Sequence, residues 1–387
     1  LIDIYIGIKG ALTLYFADKD ALKGSLVKTL QEVRPTRFFA VPRIWEKIHE
    51  KMQKIGNESG MIKTAISSWA KYHGLQHYLD KIKGIERNSY SYLLARALIF
   101  SRVKKALGLD QCTSFVAGAA PLSADIKKYL MSLDIPILDV YGMTECTGIA
   151  ISGHIDQLHI EAVGRELPGS YRKISRGYVD GYHKICFKGR HVFMGYLNDP
   201  ERTSEVLDSE NWLHSGDLGK IDKDGFVYVT GRLKELIITA GGENVAPVLI
   251  EEEVKKNLPC ISNAMLIGDT RKFLTILLTI KTEVNTETGE PLDELTSETK
   301  QWCKDIGCEA HTVTDILQNS NKKFEDAIQK GINEANRKAV SNAQRVQKFA
   351  ILPHDFSIPT GELGPTMKLK RNFVTKKYEH IIESLYQ

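Results

Sequence analysis

Residues 115–145, FVAGAAPLSADIKKYLMSLDIPILDVYGMTE, constrain the fold more than any other stretch of the chain. An apolar run closes on Gly118-Ala119-Ala120. Ser123 follows, and then Ile126, Tyr129, Leu130 and Leu133 recur at helical spacing. A second apolar run, IPILDV, closes on Tyr141-Gly142-Met143-Thr144-Glu145. The pattern predicts strand, helix and strand, with Ser123 as the helix N-cap. Open α/β sheets take ligands in the loops beyond the carboxyl ends of their strands, and both glycine-bearing loops of this block lie there.

The flanking sequence extends the same rhythm. Residues 1–42 alternate apolar runs with a charged helical register over Asp18 to Val33 and then FFAVP, which predicts βαβ order with the opening LIDIYIGIK as a strand. Pro42 opens an amphipathic helix with Ile44, Ile48, Met52 and Ile55 on one face and Trp45 as a packing residue. Residues 56–110 read as helical and carry no recognisable chemistry.

Residues 211–245, NWLHSGDLGKIDKDGFVYVTGRLKELIITAGGENV, set turns between β-rich runs, because glycine supplies backbone angles that side chains forbid. Past them the pattern changes. Pro247 opens a helix over Val248 to Leu258, AMLIGD and FLTILLTIK read as strands joined by a turn at Asp269 to Lys272, and NTETGEPLDELTSET reads as a solvated loop. Lys322–Val340 forms an amphipathic helix with Phe324, Ile328, Ile332 and Ala335 on its apolar side. The closing IPTGELGPTMKLKRNFV reads as a mobile glycine loop ending in the basic residues Lys368, Lys370 and Arg371. At 387 residues the chain exceeds one ordinary core, so two domains are expected.

Composition narrows the class. Apolar residues at 42% and charged residues at 26% describe a globular protein. No apolar run approaches the ~18 residues that span a bilayer. A net charge of +4 gives no nucleic-acid signature. The cysteines at 112, 146, 186, 260, 303 and 308 include no CxxC pair, which fits a reducing compartment rather than a disulfide scaffold or zinc site.

Several residues suit a nucleotide. Tyr141 offers an aromatic face to adenine, and the small Gly118, Ala119 and Ala120 let a flat ring approach the backbone. Gly142 permits a tight turn, Thr144 offers a hydroxyl to a phosphate oxygen, and Glu145 is a hard oxygen ligand for Mg²⁺. Asp217 and Arg232 on neighbouring turns would grip a sugar diol, one accepting and one donating. A packing tyrosine beside a surface glutamate accounts for the same five-residue string, and His191 and His214 read as packing or surface residues.

The order of these motifs resembles the adenylate-forming acyl-CoA synthetases, nearest the long-chain fatty acid ligases of the bubblegum type. VPRIWEKI at 41–48, GAAPLS, YGMTE, Val163-Gly164 with Leu167-Pro168-Gly169, HVFMGYLN and Pro365-Thr366-Met367-Lys368 carry the likeness. It implies an α/β fold. Residues 1–231 would be the C-terminal part of a large ATP- and acyl-binding domain, with mixed sheets flanked by helices. Residues 232–387 would be a small mobile α+β domain hinged near Lys234. It further implies that Tyr141, Gly142 and Gly118–Ala120 hold the nucleotide, that Asp217 and Arg232 hold the ribose, and that Thr144 and Glu145 serve phosphate and metal. Lys368 would be the catalytic cation, and Gly241, Gly242 and Glu243 would line the coenzyme A channel. His183-Lys184 stands where relatives carry Gly-Glu, a departure expected to disturb a loop before a strand.

The activity implied is ATP- and Mg²⁺-dependent ligation of a long-chain fatty acid to coenzyme A through an acyl-adenylate. The protein would be cytoplasmic, with peripheral contact to the cytosolic face of membranes. The alternatives are another adenylate-forming enzyme, acting on aryl or amino acids, and a non-catalytic AMP-binding module. The chain lacks an initiator methionine and the family's Ser/Thr/Gly-rich phosphate loop, so it is expected to be a piece of a longer protein and inactive by itself.

Overall fold

The computed structural model describes residues 2–18, 21, 24–57, 59–174, 183–285, 287–318, 322–365 and 367–387. The described residues fall into two compact units that divide between Val229 and Thr230.

The first unit opens with helices α1 (Ile2–Lys9) and α2 (Leu26–Val33) ahead of strand β1 (Arg37–Ala40). The opening stretch is therefore helical and not the strand its alternation predicts. No described strand pairs with residues 2–9. Without such a partner a helix pairs the segment's own N–H and C=O groups internally, and this overrides β propensity. Helix α3 (Pro42–Asn57) buries Trp45 completely, and the indole Nε1 donates to the Val116 carbonyl at 3.3 Å. Its core stripe stops at Met52, for Ile55 is 51% exposed.

Helices α4 (Met61–Ile82), α5 (Tyr90–Ala95) and α6 (Ser101–Leu107) follow. They are tied to one buried carboxylate. Asp134 accepts from the Tyr78 and Tyr92 hydroxyls at 2.7 and 2.8 Å and from Lys104 Nζ at 2.6 Å.

Strands β2 (Ser114–Ala117) and β3 (Ile137–Tyr141) flank helix α7 (Ala124–Ser132), as expected. Ser123 caps α7 by accepting from the Ile126 N–H at 3.3 Å. The sheet runs β1-β2-β3-β4-β5, with β4 (Ile151–Ser152) and β5 (Arg165–Glu166). The first three strands are parallel and the remaining pairs antiparallel. Trp45, Phe115, Leu130, Ile135 and Ile137 form the core beneath it.

A second, four-stranded sheet has the order β6 (Ser170–Ile174), β7 (His183–Gly189), β8 (Leu213–Ile221) and β9 (Val227–Arg232), with helix α8 (Pro200–Val206) between β7 and β8. His183 and Lys184 are the first residues of β7 and pair with Gly219 and Leu218. The acid-to-base departure thus falls inside the sheet rather than in a loop, and residues 175–182 before it lie outside the described residues.

The second unit begins with the hairpin β10 (Ile237–Ile238) and β11 (Asn244–Val245), followed by helix α9 (Pro247–Asn257). Strands β12 (Ile261–Ile267), β13 (Leu274–Ile280) and β16 (Val346–Ile351) make its main sheet, with β13 central and buried at every residue. The pleat explains this burial, since side chains alternate between faces. Leu274, Ile276, Leu278 and Ile280 join a core with Val254 and Leu258 of α9 and with Phe324, Ile328 and Ile332 of α12 (Lys322–Asn336). Leu277 instead meets Val374 of α13 (Arg371–Lys377) and Ile382 of α14 (Glu379–Tyr386).

The polar run expected as a loop instead contains β15 (Pro291–Leu295), which pairs with β14 (Thr282–Val284) just before the run, and the start of helix α10 (Ser297–Asp305). The Asn285 side chain accepts from the Glu287 and Thr288 N–H groups and closes the turn, while Leu295 is fully buried. Helix α11 (Val313–Gln318) packs nearby through Val313 and Ile316.

Candidate functional site

Three features of the first unit converge at the end of β3. Tyr141, the last residue of β3, donates its hydroxyl to Asp217 Oδ2 at 2.6 Å across 76 residues of chain. Burial, and then the neighbouring Asp217 charge, push the phenol well above its ordinary range. It therefore stays protonated and acts as the donor. Asp217 lies in β8 and is 8% exposed. Its N–H donates to Ser215 Oγ at 3.1 Å, and that hydroxyl donates to the Ile185 carbonyl at 2.7 Å. The backbone at Asp217 is thus tied through Ser215 to the neighbouring β7, and the carboxylate is met by Tyr141.

Gly142 begins the loop beyond β3. A Cβ there would stand 1.9 Å from the Gly148 carbonyl oxygen. Because that obstacle is backbone, Gly142→Ala should destabilise the first unit by about 1–3 kcal/mol, measured as a lower urea midpoint with unchanged m-value. The loop then winds into a 3₁₀ turn over Thr144–Cys146. Thr144 is exposed and Glu145 half-buried. The turn is held from the segment after β7. The Phe193 N–H donates to the Glu145 carbonyl at 2.8 Å, and Thr147 Oγ1 donates to the His191 carbonyl at 2.6 Å. Tyr196 donates its hydroxyl to Glu145 Oε1 at 2.8 Å, which aims the carboxylate. Tyr196 lies in the HVFMGYLN run, whose sequence gives no sign of this contact.

Gly118 follows β2, and Ala119 takes a left-handed φ of 73°. The flat ring that approaches Gly118 is the chain's own Phe39, for an added Cβ would lie 3.0 Å from that ring and 2.7 Å from Val140. Ala119 and Ala120 are exposed. His214 is held between Asp208 at 3.1 Å and the Cys186 sulfur at 3.5 Å, and His191 lies against Ser170. Both are packing residues.

The remaining expected residues belong to the second unit. Arg232 ends β9, and Lys234 sits exposed on the 3₁₀ turn Leu233–Glu235. Gly241 and Gly242 form the exposed tip of the β10–β11 hairpin, closed by Gly242 N–H to the Thr239 carbonyl at 2.8 Å, with Gly242 at φ 80°. Glu243 accepts from the Ser341 hydroxyl.

Lys368 is exposed on a turn. The Gly364 N–H donates to the Lys368 carbonyl at 2.8 Å, and the Lys370 N–H to the Glu362 carbonyl at 2.8 Å. Glu362 is 1% exposed and gathers Lys377 at 2.6 Å, Tyr378 at 3.1 Å and the Thr360 hydroxyl. Thr366 lies outside the described residues. Arg371, expected in a solvated basic patch, instead forms a buried fork-on-fork pair with Glu251 at 2.6 and 2.7 Å.

Residues 1–197 match the family model of the AMP-binding enzyme, and residues 234–320 match that of the AMP-binding enzyme C-terminal domain. The chain belongs to the AMP-binding enzyme family. Among its relatives, long-chain-fatty-acid–CoA ligase ACSBG2 of Xenopus laevis is 52% identical over the whole of this chain and 52% of its own length. The Homo sapiens ACSBG2 ligase is 48% identical over 58% of its length, and the ACSBG1 ligase of Rattus norvegicus 46% over 53%. The chain thus spans about half the length of the curated relatives it matches.

Among solved structures, the A domain of carboxylic acid reductase from Segniliparus rugosus, in complex with AMP and a co-purified carboxylic acid, superposes with a TM-score of 0.62. It is 21% identical over 96% of this chain and 50% of that one, a likeness of fold. As a member of the AMP-binding enzyme family, the chain has the mixed α/β architecture and separate C-terminal unit that its motifs implied.

Proposed function

We propose that these residues are the nucleotide- and thiol-handling part of an ATP-dependent long-chain fatty acid–CoA ligase. The Tyr141–Asp217 hydrogen bond carries this reading, because it unites two distant motifs in one partly buried polar contact. The ligase names of relatives at 46–52% identity over this chain support the substrate class.

In this scheme Tyr141, Gly142 and the exposed Ala119 and Ala120 hold adenine, Asp217 and Arg232 the ribose, and Thr144 a phosphate oxygen, while Gly118 packs against Phe39. The fatty carboxylate forms a bond to the α-phosphorus and the bond to pyrophosphate breaks. Coenzyme A thiol then bonds the acyl carbon, loses its proton, and AMP leaves with the carboxyl oxygen. Lys368 neutralises the oxygens that gain charge in the first step. The Gly241-Gly242 tip and Glu243 admit the thiol after rotation at Lys234. The division between units at Val229/Thr230, close before Lys234, supports a pivot there.

Among the described residues no group of three or more His, Cys, Asp or Glu side chains could hold a metal alone. A single carboxylate nevertheless suits Mg²⁺, which takes one or two carboxylates and otherwise phosphate and water oxygens. Glu145, steadied by Tyr196, is the residue that would hold it. Bound Mg²⁺ would supply charge neutralisation at the phosphates. Six free, buried cysteines support a reducing, cytoplasmic setting. No helix among the described residues is long and apolar enough to cross a membrane, and a fatty substrate supports peripheral contact with the cytosolic face.

The test is carboxylate-dependent exchange of pyrophosphate into ATP by the natural protein that carries these residues. Palmitate should support exchange and benzoate or amino acids should not. Asp217→Asn should raise the KM for ATP about tenfold, the worth of one charge-assisted hydrogen bond. Exchange driven by benzoate or an amino acid in place of palmitate would overturn the reading.

A further inference from the structure

One guanidinium in the second unit joins three segments that lie far apart in sequence. Arg371 opens α13, three residues after Lys368. Its Nη1 and Nη2 donate to the two oxygens of Glu251 in α9 at 2.7 and 2.6 Å. Its Nε lies 3.6 Å from Glu235 Oε2, and Glu235 closes the 3₁₀ turn that carries Lys234. Glu251 is itself anchored, since its Oε1 accepts the Leu266 N–H of β12 at 2.7 Å. Lys234, Glu235, Arg371 and Asn372 also share the wall of a cavity of about 660 Å³.

The two contacts of Arg371 differ in kind. The Glu251 side chain is 7% exposed and meets the guanidinium with matched forks, a geometry that fixes direction as well as distance. The Glu235 side chain is 34% exposed and lies 3.6 Å from the guanidinium, a longer and looser contact that acts chiefly by charge. On its other side the Lys368 turn rests on buried Glu362 through the Lys370 N–H at 2.8 Å. The segment bearing Lys368 is therefore anchored at Lys370 and Arg371, and Glu235 is the weaker link from those anchors to the hinge turn.

We propose that Glu235 is a positioning residue that, through Arg371, fixes the hinge turn against the segment bearing Lys368. A rotation at Lys234 then carries Lys368 with it instead of being absorbed within the turn Leu233–Glu235. This rests on the roles proposed above for Lys234 and Lys368. Catalytic misplacement of about 1 Å costs on the order of 100-fold in rate, and Glu235 supplies one of two restraints. Glu235→Gln keeps the shape and removes the charge.

The experiment compares wild type, Glu235→Gln, Arg371→Lys and the double variant in the natural protein. Single-turnover acyl-adenylate formation should slow about tenfold in Glu235→Gln while the KM for ATP stays within about twofold. The double variant should be no slower than Arg371→Lys, because both changes break one link. The melting temperature of Glu235→Gln should move by less than about 2 °C, as befits a half-exposed ion pair. Amide exchange over residues 233–236 should quicken in Glu235→Gln, a readout independent of activity. An unchanged adenylation rate in an active enzyme overturns the proposal, as does unchanged exchange over 233–236. Quickened exchange in a protein whose wild type forms no adenylate upholds the link and overturns the catalytic reading of Lys368 instead.

Discussion

Lys368→Ala is expected to lower acyl-adenylate formation by about 10²–10³-fold, the loss seen when one preorganised donor is removed from developing oxyanion charge. Lys368 is exposed on its turn, so the substitution removes little packing. The backbone of the turn is set by the bond from the Gly364 N–H to the Lys368 carbonyl at 2.8 Å, which any residue at 368 retains. The melting temperature should therefore stay put while the rate falls. Thioester formation from added acyl-adenylate and coenzyme A should keep most of its rate, because the lysine is assigned to the first step alone. Single-turnover measurement of each half-reaction separates the two. Equal loss in both would show that the lysine serves binding or folding and not adenylation.

The sequence patterns that proved reliable are those whose physics is local. Ser123 caps α7 because a hydroxyl three residues ahead of Ile126 can reach its N–H. LTILLTI is buried at every residue because both faces of a central strand are covered. Phe324, Ile328 and Ile332 lie on one face of α12 by helical period alone. Tertiary pairing escapes such rules. LIDIYIGIK alternates like a strand, yet Ile2–Lys9 within it is a helix with which no described strand pairs. The glycines of IPTGELGP read as a mobile loop, and nothing in that pattern shows that Glu362 within it is buried and met by Lys377 and Tyr378, more than a dozen residues away.

The candidate site shows the same split. Tyr141, Glu145 and Asp217 were legible as residue types in motif order, whereas the bond between Tyr141 and Asp217 needs the β3–β8 juxtaposition. Tyr196, which steadies Glu145, carries no chemical signal of its own in sequence. Arg371 was misread for a related reason. Three cations near a terminus resemble a solvated patch, and only the fold reveals that one of them meets Glu251 from 120 residues away.

That buried pair leads to the second large effect, this time on stability. Burial disfavours the Arg371 charge, yet the Glu251 hydrogen bonds and charge, with Glu235 beside them, hold its pKa above the ordinary value. Glu251→Ala would leave a guanidinium 18% exposed without its fork partner and the Leu266 N–H without its acceptor. Breaking a buried pair from one side costs about 3–5 kcal/mol, which for a unit of this size lowers the melting temperature by roughly 6–20 °C. Glu251→Gln keeps an acceptor for Leu266 and should lose less. Replacing both partners, as in Glu251→Met with Arg371→Leu, removes the stranded charge and should recover much of the loss. Calorimetry on the four proteins checks the order. A double variant as unstable as Glu251→Ala would mean that packing at the α9–β12 contact, and not the uncompensated charge, sets the cost.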